Sequence, residues 1–357
     1  MKYFSDIGGY ILRKIFLIHE LSYEEAPEVM RMLIARLLFK RLVIHFTFRS
    51  ILTSSIMKLL TNTAPYFLFL LIITSCNAGT ANKEDENADK NLLGETIPSL
   101  NYDLLHPQKK WDMPDVLKEI SGLSWIDSTH LLAIEDLHPN LYLLNLKDSN
   151  VVEKSIPFEQ GEDKKFDVED VAVHGNTAYA LWSHGVIYAI NNWRKNIEVK
   201  ELKTFLTKQN NPEGLCYDPQ TNSLLVACKG RGDVGDDKKS TKAIYEYDLA
   251  ADKMKEEPFM VIRKKDFEKF GNGQIDFFPS AITIHPQTHD VYILSTRETK
   301  CLAQFSHDGK LKAFEVIDKE LLPQPEGICF SPAGTMYIST QGRKGDVAHV
   351  YEFPSRQ

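Results

Sequence analysis

The chain has 357 residues, of which 43% are hydrophobic, and its formal net charge is −7. The charge is unevenly distributed: residues 1–76 carry 9 Lys or Arg and 5 Asp or Glu, so residues 77–357 have a net charge of −11. Proteins that bind nucleic acids present a basic surface to the phosphates. The acidic balance of the larger part therefore argues against a nucleic-acid partner and is compatible with cation binding.

Residues 57–76 have the features of a secretory signal. Met57-Lys58 supplies a positive start, residues 66–73 form an apolar run, and two small residues precede Cys76. The run is shorter than the about 20 apolar residues that a transmembrane helix requires. The last four residues of the segment resemble a bacterial lipobox, which implies that the Cys76 thiol is linked to diacylglycerol and anchors the protein in a membrane. The alternatives are an ordinary signal peptide and a short anchor.

Two segments flank this signal. We expect residues 1–56 to be an upstream extension that results from a misplaced start codon; the alternative is an amphipathic, membrane-seeking helix. Residues 77–97 are polar and lack apolar periodicity, which predicts a disordered tether. The Lys-Glu-Asp-Glu stretch at residues 83–86 resembles an export signal of surface lipoproteins. We therefore expect the protein in the cell envelope, at the outer membrane or the surface.

The rest of the chain repeats one phrase five times: a polar residue, often Glu, then a small or apolar pair, then a strand-like run. The copies begin at Ser121, Glu169, Glu213, Ser280 and Glu326, at intervals of 48, 44, 67 and 46 residues. The second copy is the least regular, because Asp170 occupies its small-residue position. A period of about 40–50 residues made of short strands is typical of a β-propeller. We predict an all-β, five-bladed propeller over residues 98–357, with six blades as the alternative.

Each copy continues with two further apolar runs, separated by turn residues, and with a weaker outer strand. In the third copy, residues 251–276 look like an insertion around one outer strand rather than a hidden sixth blade. The fifth copy reaches only its third strand. We expect residues 99–112 to supply its outer strand and to close the ring, because closure pairs strand edges that would otherwise stay open.

The recurring carboxylates are the candidate functional residues. The phrase opens the innermost strand of each blade, which places Glu169, Glu213 and Glu326 around a central channel. Because side chains alternate along a strand, the residues two positions before each phrase also face the channel. These are Glu119, Asp167, Asn211, Phe278 and Gln324.

Carboxylates that meet in a narrow channel repel each other strongly at low dielectric. Protonation or a bound cation relieves that repulsion. A hard divalent ion with oxygen ligands fits, and Ca²⁺ tolerates an irregular set of carboxylates, amides and waters better than Mg²⁺. His is absent from the five phrase positions and from the five positions two residues before them, which disfavours zinc or iron. We therefore predict a bound Ca²⁺. The alternative is that the Glu side chains cap backbone N–H groups at the channel mouth and bind only water.

The loops after the second strands are expected at the same mouth, because the first two strands of a blade are antiparallel. Three of these loops carry an Arg, which suits an anionic ligand; the alternative is that the loop charges are simply solvated. The predicted ligand mouth comprises Asp167, Asn211, Gln324, Arg231, Arg297 and Arg343. Nothing in the sequence orients His138 or His184 as an acid or base.

The four Cys residues that follow Cys76 all lie in apolar, strand-like runs. They show neither a CxxC motif nor a Cys/His spacing typical of zinc sites. We expect them to be small buried residues, and no disulfide is indicated. They are Cys216, Cys228, Cys301 and Cys329.

These motifs together resemble the SdiA-regulated family of β-propellers. The resemblance covers residues 110–355 and rests on Glu-Ile-Ser-Gly-Leu at 119–123, Ala-Ile-Glu-Asp at 133–136 and Pro-Glu-Gly at 212–214 and 325–327, a turn that NHL-type propellers share. It implies a five-bladed propeller in the envelope with Ca²⁺ in a central site, and no particular substrate. The metal ligands that it implies are Glu169, Glu213, Glu326 and, as a further candidate, Glu119. Ser121 and Ser280 depart from an all-acidic ring.

Three functions are compatible with these features. The first is a membrane-anchored envelope lipoprotein whose Ca²⁺-containing propeller binds a small molecule or protein at its acidic channel mouth. The second is a Ca²⁺-dependent hydrolase of an ester, lactone or phosphate bond, although no unambiguous base stands beside the predicted ion. The third is a structural interaction scaffold with an empty channel. The fold does not decide between them, because propellers host many functions.

Overall fold

The computed structural model describes residues 99–148, 151–159, 166–232, 234, 241–268, 275–342 and 345–356. Over these residues, 21 strands form five antiparallel sheets, which confirms the prediction of a five-bladed, all-β propeller. The predicted extension 1–56, the signal 57–76 with Cys76, the tether 77–97 and Arg343 lie outside the described residues. In the described part of the chain, no helix has the length and apolar character needed to cross a membrane.

The blades follow one another along the chain. Blade 1 comprises β2 (Ile120–Trp125), β3 (His130–Glu135), β4 (Asn140–Asn145) and β5 (Val152–Pro157). Blade 2 comprises β6 (Val168–His174), β7 (Thr177–Trp182), β8 (Val186–Asn191) and β9 (Glu198–Lys203). Blade 3 comprises β10 (Pro212–Asp218), β11 (Ser223–Cys228), β12 (Lys242–Asp248), β13 (Lys253–Met254) and β14 (Met260–Ile262). Blade 4 comprises β15 (Pro279–Ile284), β16 (Val291–Ser295), β17 (Cys301–Phe305) and β18 (Leu311–Val316). Blade 5 comprises β19 (Pro325–Phe330), β20 (Met336–Thr340), β21 (His349–Phe353) and, as its outer strand, β1 (Lys109–Asp112).

Strand β1 closes the ring, as predicted for residues 99–112. It pairs antiparallel with β21, so that Lys109 lies opposite Glu352. Trp111 of β1 donates its indole N–H to the backbone oxygen of Leu146, which follows β4 of blade 1, at 2.9 Å. The first and last blades are therefore joined by one strand, and the outer edge of β21 is paired.

The long third interval contains an insertion and not a sixth blade, as the sequence predicts. Strands β13 and β14 both pair with β12 of blade 3. A short helix, α1 (Lys265–Glu268), follows them. Its Phe267 is fully buried, and its ring centroid lies 5.1 Å from that of Phe277 and 5.5 Å from that of Phe314.

Five hydrophobic clusters form the core, and each draws its side chains mainly from two neighbouring blades. The middle strands are buried on both faces because each blade is covered by two neighbours; every residue of β11, for example, is buried. This explains the continuous apolar runs in the sequence, since alternation is expected only where one face meets water. The predicted burial of the four cysteines is confirmed, and all four are free thiols: Cys216, Cys228, Cys301 and Cys329.

The small residue of the repeated phrase marks the closest approach of neighbouring inner strands. A Cβ atom on Gly122 would lie 2.4 Å from Oδ1 of Asp170 in blade 2. A Cβ atom on Gly214 would lie 2.9 Å from the backbone nitrogen of Ile282 in blade 4. Glycine recurs here because the backbone of the next blade occupies the space that a side chain would need.

Candidate functional site

The repeated phrase contains a β-bulge in each of the five described blades. The register between the first and second strands shifts across one residue of the first strand. These residues are Ser121, Glu169, Glu213, Ser280 and Glu326. Because a bulge re-aims the side chain beside it, the polar residue of the phrase leaves the regular strand at the same place in every blade. Simple alternation along the strand, which the sequence suggests, does not include this feature.

Glu213 forms an ion pair with the ammonium group of Lys229. The Nζ atom of Lys229 lies 2.6 Å from its Oε2 atom, and the side-chain amide of Asn211 donates to its Oε1 atom. Burial raises the pKa of Glu213 to about 7, and Lys229 opposes that shift. Burial alone would lower the pKa of Lys229, but the carboxylates of Glu213, Glu326 and Glu169 outweigh it and raise the pKa. Lys229 thus stays charged among the three predicted glutamates.

Glu169, Glu213 and Glu326 share one electrostatic environment. Burial and then the carboxylate of Glu213 raise the pKa of Glu169 to about 10. Burial also raises the pKa of Glu326, which Lys229 opposes. The structure therefore brings together the three glutamates that the sequence places on separate blades.

Asp136 is a further carboxylate of this channel. Burial, followed by the charges of Glu326 and Asp167, raises its pKa to about 8. Its Oδ2 atom accepts a hydrogen bond from the side-chain amide of Gln341 at 3.2 Å. Its Oδ1 atom is shielded from solvent and has no hydrogen-bond partner among the described residues. The nearby Ser121 hydroxyl lowers the pKa of this carboxyl, but it donates its proton to the backbone oxygen of Val168 at 2.7 Å. A buried oxygen without a partner is costly, so Asp136 has unused capacity for a proton or a cation.

Asp136 and Lys229 belong to a ring that follows the second strands. The backbone N–H of each ring member donates to a backbone oxygen of the mouth ring, the five residues two positions before each phrase (Glu119, Asp167, Asn211, Phe278 and Gln324). The four bonds run from Asp136 to Glu119 (3.2 Å), Ser183 to Asp167 (3.0 Å), Lys229 to Asn211 (2.9 Å) and Gln341 to Gln324 (3.0 Å). The loops after the second strands thus lie beside the mouth, as the antiparallel geometry predicts.

The predicted mouth residues are polar contacts within this framework. Asp167 is exposed and accepts a hydrogen bond from the Ser183 hydroxyl at 2.8 Å. The side-chain amide of Gln324 donates to that of Gln341. Asn211 has a φ of 46°, a left-handed conformation that Asn tolerates better than most residues. Glu119 is close enough to Asp136 to raise the pKa of that carboxyl.

A cavity of about 750 Å³ opens at this mouth between blades 3, 4 and 5. Its lining residues are Lys208, Gln209, Asn211, Glu213, Lys229, Gly230, Arg231, Lys242, Phe278, Thr296, Arg297, Lys300, Gln324 and Glu326. The structure thus groups six predicted residues at one cavity: Glu213, Glu326, Asn211, Gln324, Arg231 and Arg297. The remaining described ones, Glu119, Asp167 and Glu169, belong to blades 1 and 2 and lie outside this lining.

The channel fits a hard cation in the chemistry of its donors but does not form a closed cage. No three His, Cys, Asp or Glu side chains of the described residues are arranged to hold one metal ion. The donors are nevertheless carboxylate and amide oxygens, which Ca²⁺ prefers. The buried, unpartnered Oδ1 atom of Asp136 is such a donor.

The histidines near the mouth are not arranged as catalytic groups. The hydroxyl of Ser183 donates to Asp167 and lies 3.3 Å from Nδ1 of His184, so its proton is directed to the carboxylate. The Nδ1 atom of His138 lies 2.8 Å from Glu135, and the imidazole is largely exposed. Neither group forms a nucleophile–base pair of the hydrolase type.

Sequence reasoning missed Asp136 and Lys229 as site residues. Both stand one position after the second strand of their blades. That shared offset is visible in the sequence once the repeat is aligned. Their residue types differ from blade to blade, however, so composition alone does not single them out.

Comparison with known proteins gives a family and a fold. A family model described as SdiA-regulated matches residues 100–341. No curated protein matches the sequence significantly. Similar solved structures include the glutaminyl cyclase of Myxococcus xanthus, with 13% identity, a TM-score of 0.48, and coverage of 70% of this chain and 95% of that chain. A luciferin-regenerating enzyme has 14% identity and a TM-score of 0.40, with coverage of 67% and 92%. A virginiamycin B lyase of Staphylococcus aureus has 11% identity and a TM-score of 0.38, with coverage of 68% and 69%. At these values the likeness carries no argument about chemistry.

Proposed function

The chain belongs to the SdiA-regulated family, and we propose that its propeller is a binding module whose central channel holds Ca²⁺ beside a ligand cavity. The protein is an envelope lipoprotein in this proposal, anchored in a membrane through Cys76 and exposed at the outer membrane or the surface. The signal-like segment before Cys76 supports the anchor.

Cys76→Ser should release the protein from the membrane fraction and abolish the mass increment of the lipid. A variant that stays bound to the membrane without lipid would contradict the anchor.

The observation that carries the cation proposal is the buried Oδ1 atom of Asp136, which has no hydrogen-bond partner among the described residues. It lies in a channel where carboxyl groups from four blades influence one another: Glu119, Asp136, Asp167, Glu169, Glu213 and Glu326. Lys229 pairs directly with Glu213. The other carboxyl groups must take up protons or a cation to relieve their repulsion.

We assign the cation to the side of the channel formed by blades 1 and 2. Asp136 and Glu169 are the main candidate ligands there, with Asp167 and Glu119 as neighbouring oxygen donors. Glu326 reaches Asp136 electrostatically from blade 5. Glu213 is a weaker candidate than the sequence suggests, because Lys229 already occupies one of its oxygens at 2.6 Å. A bound Ca²⁺ would supply positive charge that neutralises this acidic side next to the ligand cavity.

Calorimetry on the full chain, stripped of metal with a chelator, tests the cation site. We expect one Ca²⁺ site, and weaker binding of Mg²⁺, which demands a more regular octahedral cage. Asp136→Asn and Glu169→Gln should each weaken Ca²⁺ binding by about tenfold or more. Glu201→Gln, which changes an exposed carboxylate on β9, is the matched control and should leave binding unchanged.

Two results would reject the cation site. One is a wild-type protein that shows neither heat of Ca²⁺ binding nor Ca²⁺-dependent thermal stabilisation. The other is equal weakening by the control variant. Ca²⁺-dependent turnover of an ester, lactone or phosphate that disappears in Glu213→Gln would replace the binding module by a hydrolase.

A further inference from the structure

The cavity at the channel mouth has the opposite charge to the carboxylates beside it. Six of its lining residues are basic and two are acidic, Glu213 and Glu326. The basic residues are Lys208, Lys229, Arg231, Lys242, Arg297 and Lys300. Although residues 77–357 have a net charge of −11, this cavity is therefore a positively charged pocket, and such a pocket attracts anions.

The two acidic residues cancel only part of this charge, because six basic side chains line the cavity and Lys229 forms its ion pair with Glu213. Its Nζ atom is 2.6 Å from Glu213, and its charge also acts on Glu326. Lys300 also acts on Glu326 from the cavity wall. The Nε atom of Arg297 lies 3.9 Å from the Oε1 atom of its exposed neighbour Glu298.

Backbone carbonyls fix two of the lysines in place. The Nζ atom of Lys242 donates to the backbone oxygens of Lys229 (2.6 Å) and Gly230 (3.0 Å). The Nζ atom of Lys300 donates to the backbone oxygen of Pro323 at 2.6 Å. Carbonyl contacts orient an ammonium group without neutralising its charge. These lysines therefore hold positive charge at defined positions of the cavity wall.

Phe278 holds two cations next to each other. The Nζ atom of Lys242 lies 4.3 Å from the centroid of its ring, and the Cζ atom of Arg297 lies 5.3 Å from it. Like charges repel, and burial together with Arg297 lowers the pKa of Lys242. The negative face of an aromatic ring attracts cations and offsets part of this repulsion. This gives a role to the one aromatic residue in a mouth ring that is otherwise polar.

We propose that this cavity binds a small organic phosphate, whose phosphate oxygens contact Arg297 and Lys242 above Phe278. The inference rests on the proposed function, since it names the ligand class of the same channel mouth. Several separated basic groups, most of them lysines, suit the spread charge of a phosphate dianion better than a single carboxylate, which one Arg fork can hold. A volume of about 750 Å³ also leaves room for an organic part of sugar or nucleotide size.

Calorimetric titration of the metal-free full chain tests the inference. The probes are ribose 5-phosphate, ribose as the neutral control, and citrate as a polycarboxylate. We expect ribose 5-phosphate to bind more tightly than citrate, and ribose not to bind. Arg297→Gln should weaken ribose 5-phosphate binding by about tenfold, the usual scale for one charge-assisted contact.

Arg194→Gln is the matched control. Arg194 is also exposed, and its guanidinium also lies over an aromatic ring, 4.2 Å from the centroid of Trp193. It belongs to blade 2 and is not among the residues that line the cavity. Its replacement should leave affinity unchanged. Phe278→Leu keeps an apolar side chain and removes the aromatic face, so it should weaken binding by about threefold or more. Equal thermal stability of the variants excludes a folding defect.

Binding of citrate that equals or exceeds that of ribose 5-phosphate would overturn the assignment to phosphate. If Arg297→Gln left the affinity for ribose 5-phosphate unchanged, or if Arg194→Gln weakened it equally, the assignment to this cavity would be overturned. The cation proposal fails separately. Ca²⁺ binding without phosphate binding rejects only the present inference, whereas phosphate binding to a protein that does not bind Ca²⁺ rejects only the cation site.

Discussion

At the scale of single residues, Lys229 determines the charge state of one side of the channel. Its ammonium group is largely buried, with 18% of its side chain exposed, and it contacts a Glu213 side chain that is 9% exposed. A buried ion pair adds little net stability, but removal of one partner leaves a buried, uncompensated charge. The pair therefore matters most when one of its members is missing.

Lys229→Met should lower the free energy of unfolding by about 3 kcal/mol at pH 8. The loss should shrink at lower pH, because Glu213, whose pKa burial raises, then becomes neutral. The double variant with Glu213→Gln should recover most of the stability. Urea unfolding of the wild type, of the single variants Lys229→Met and Glu213→Gln, and of the double variant measures these free energies.

Lys253→Met provides the comparison for that experiment. Lys253 and Glu256 form a 3.9 Å pair in solvent, which is worth less than about 1 kcal/mol. Equal losses at Lys229 and Lys253 would show that burial of the channel pair has no energetic consequence.

At the scale of elements, neighbouring blades are joined through the residues that follow the bulges. Asp170 stands where the other copies carry a small residue, and it is fully buried. Its Oδ2 atom accepts a hydrogen bond from the backbone N–H of Leu215 in blade 3, and its Oδ1 atom accepts one from its neighbour Val171, both at 2.8 Å. Gly122 of blade 1 leaves the space for this carboxyl. The irregularity of the second copy is therefore a link between three blades.

Asp170→Ala should lower the free energy of unfolding by about 2–4 kcal/mol, because two buried N–H groups lose their acceptor. Asp170→Asn keeps one acceptor oxygen and should lose less. Chemical denaturation monitored by tryptophan fluorescence gives both values. A loss below about 0.5 kcal/mol for the alanine variant, the range of ordinary surface substitutions, would contradict this role.

At the scale of the whole molecule, the closed ring forces carboxylates from different blades into one buried space. Their pKa values rise to about 10 for Glu169, about 8 for Asp136 and about 7 for Glu213, from ordinary values of 4.5, 3.8 and 4.5. Between these limits the folded protein binds more protons than the unfolded chain. Stability must therefore fall as the pH rises through this window. Lys229, with its raised pKa, titrates above it.

We expect the melting temperature of the metal-free protein to fall by several degrees from about pH 5 to about pH 9. Saturating Ca²⁺ should flatten this slope, because a cation stabilises the ionised carboxylates of the folded state. Glu169→Gln should reduce the slope without Ca²⁺. Melting temperatures that fall equally with pH in the presence and absence of Ca²⁺ would contradict the part of these carboxylates in cation binding. A melting temperature of the metal-free protein that does not change with pH would contradict their titration.

The repeat in the sequence predicts five blades, the closing strand and three glutamates at the channel. These features are local or periodic. A repeat of about 40–50 residues defines a blade, and the phrase places Glu169, Glu213 and Glu326 at equivalent positions. The unpaired outer position of blade 5 then left residues 99–112 as the strand that closes the ring.

Which charges meet depends on how the five blades close into a ring. Lys229 reaches Glu213 because β10 and β11 are antiparallel, and Gln341 reaches Asp136 only because the ring joins blade 5 to blade 1 across 205 positions of the chain. The same closure separates an acidic side on blades 1 and 2 from a basic cavity on blades 3 to 5. A repeat pattern gives the strand to which each residue belongs and its position along that strand. The neighbours across the channel, which set charge and pKa, exist only after all five blades have closed.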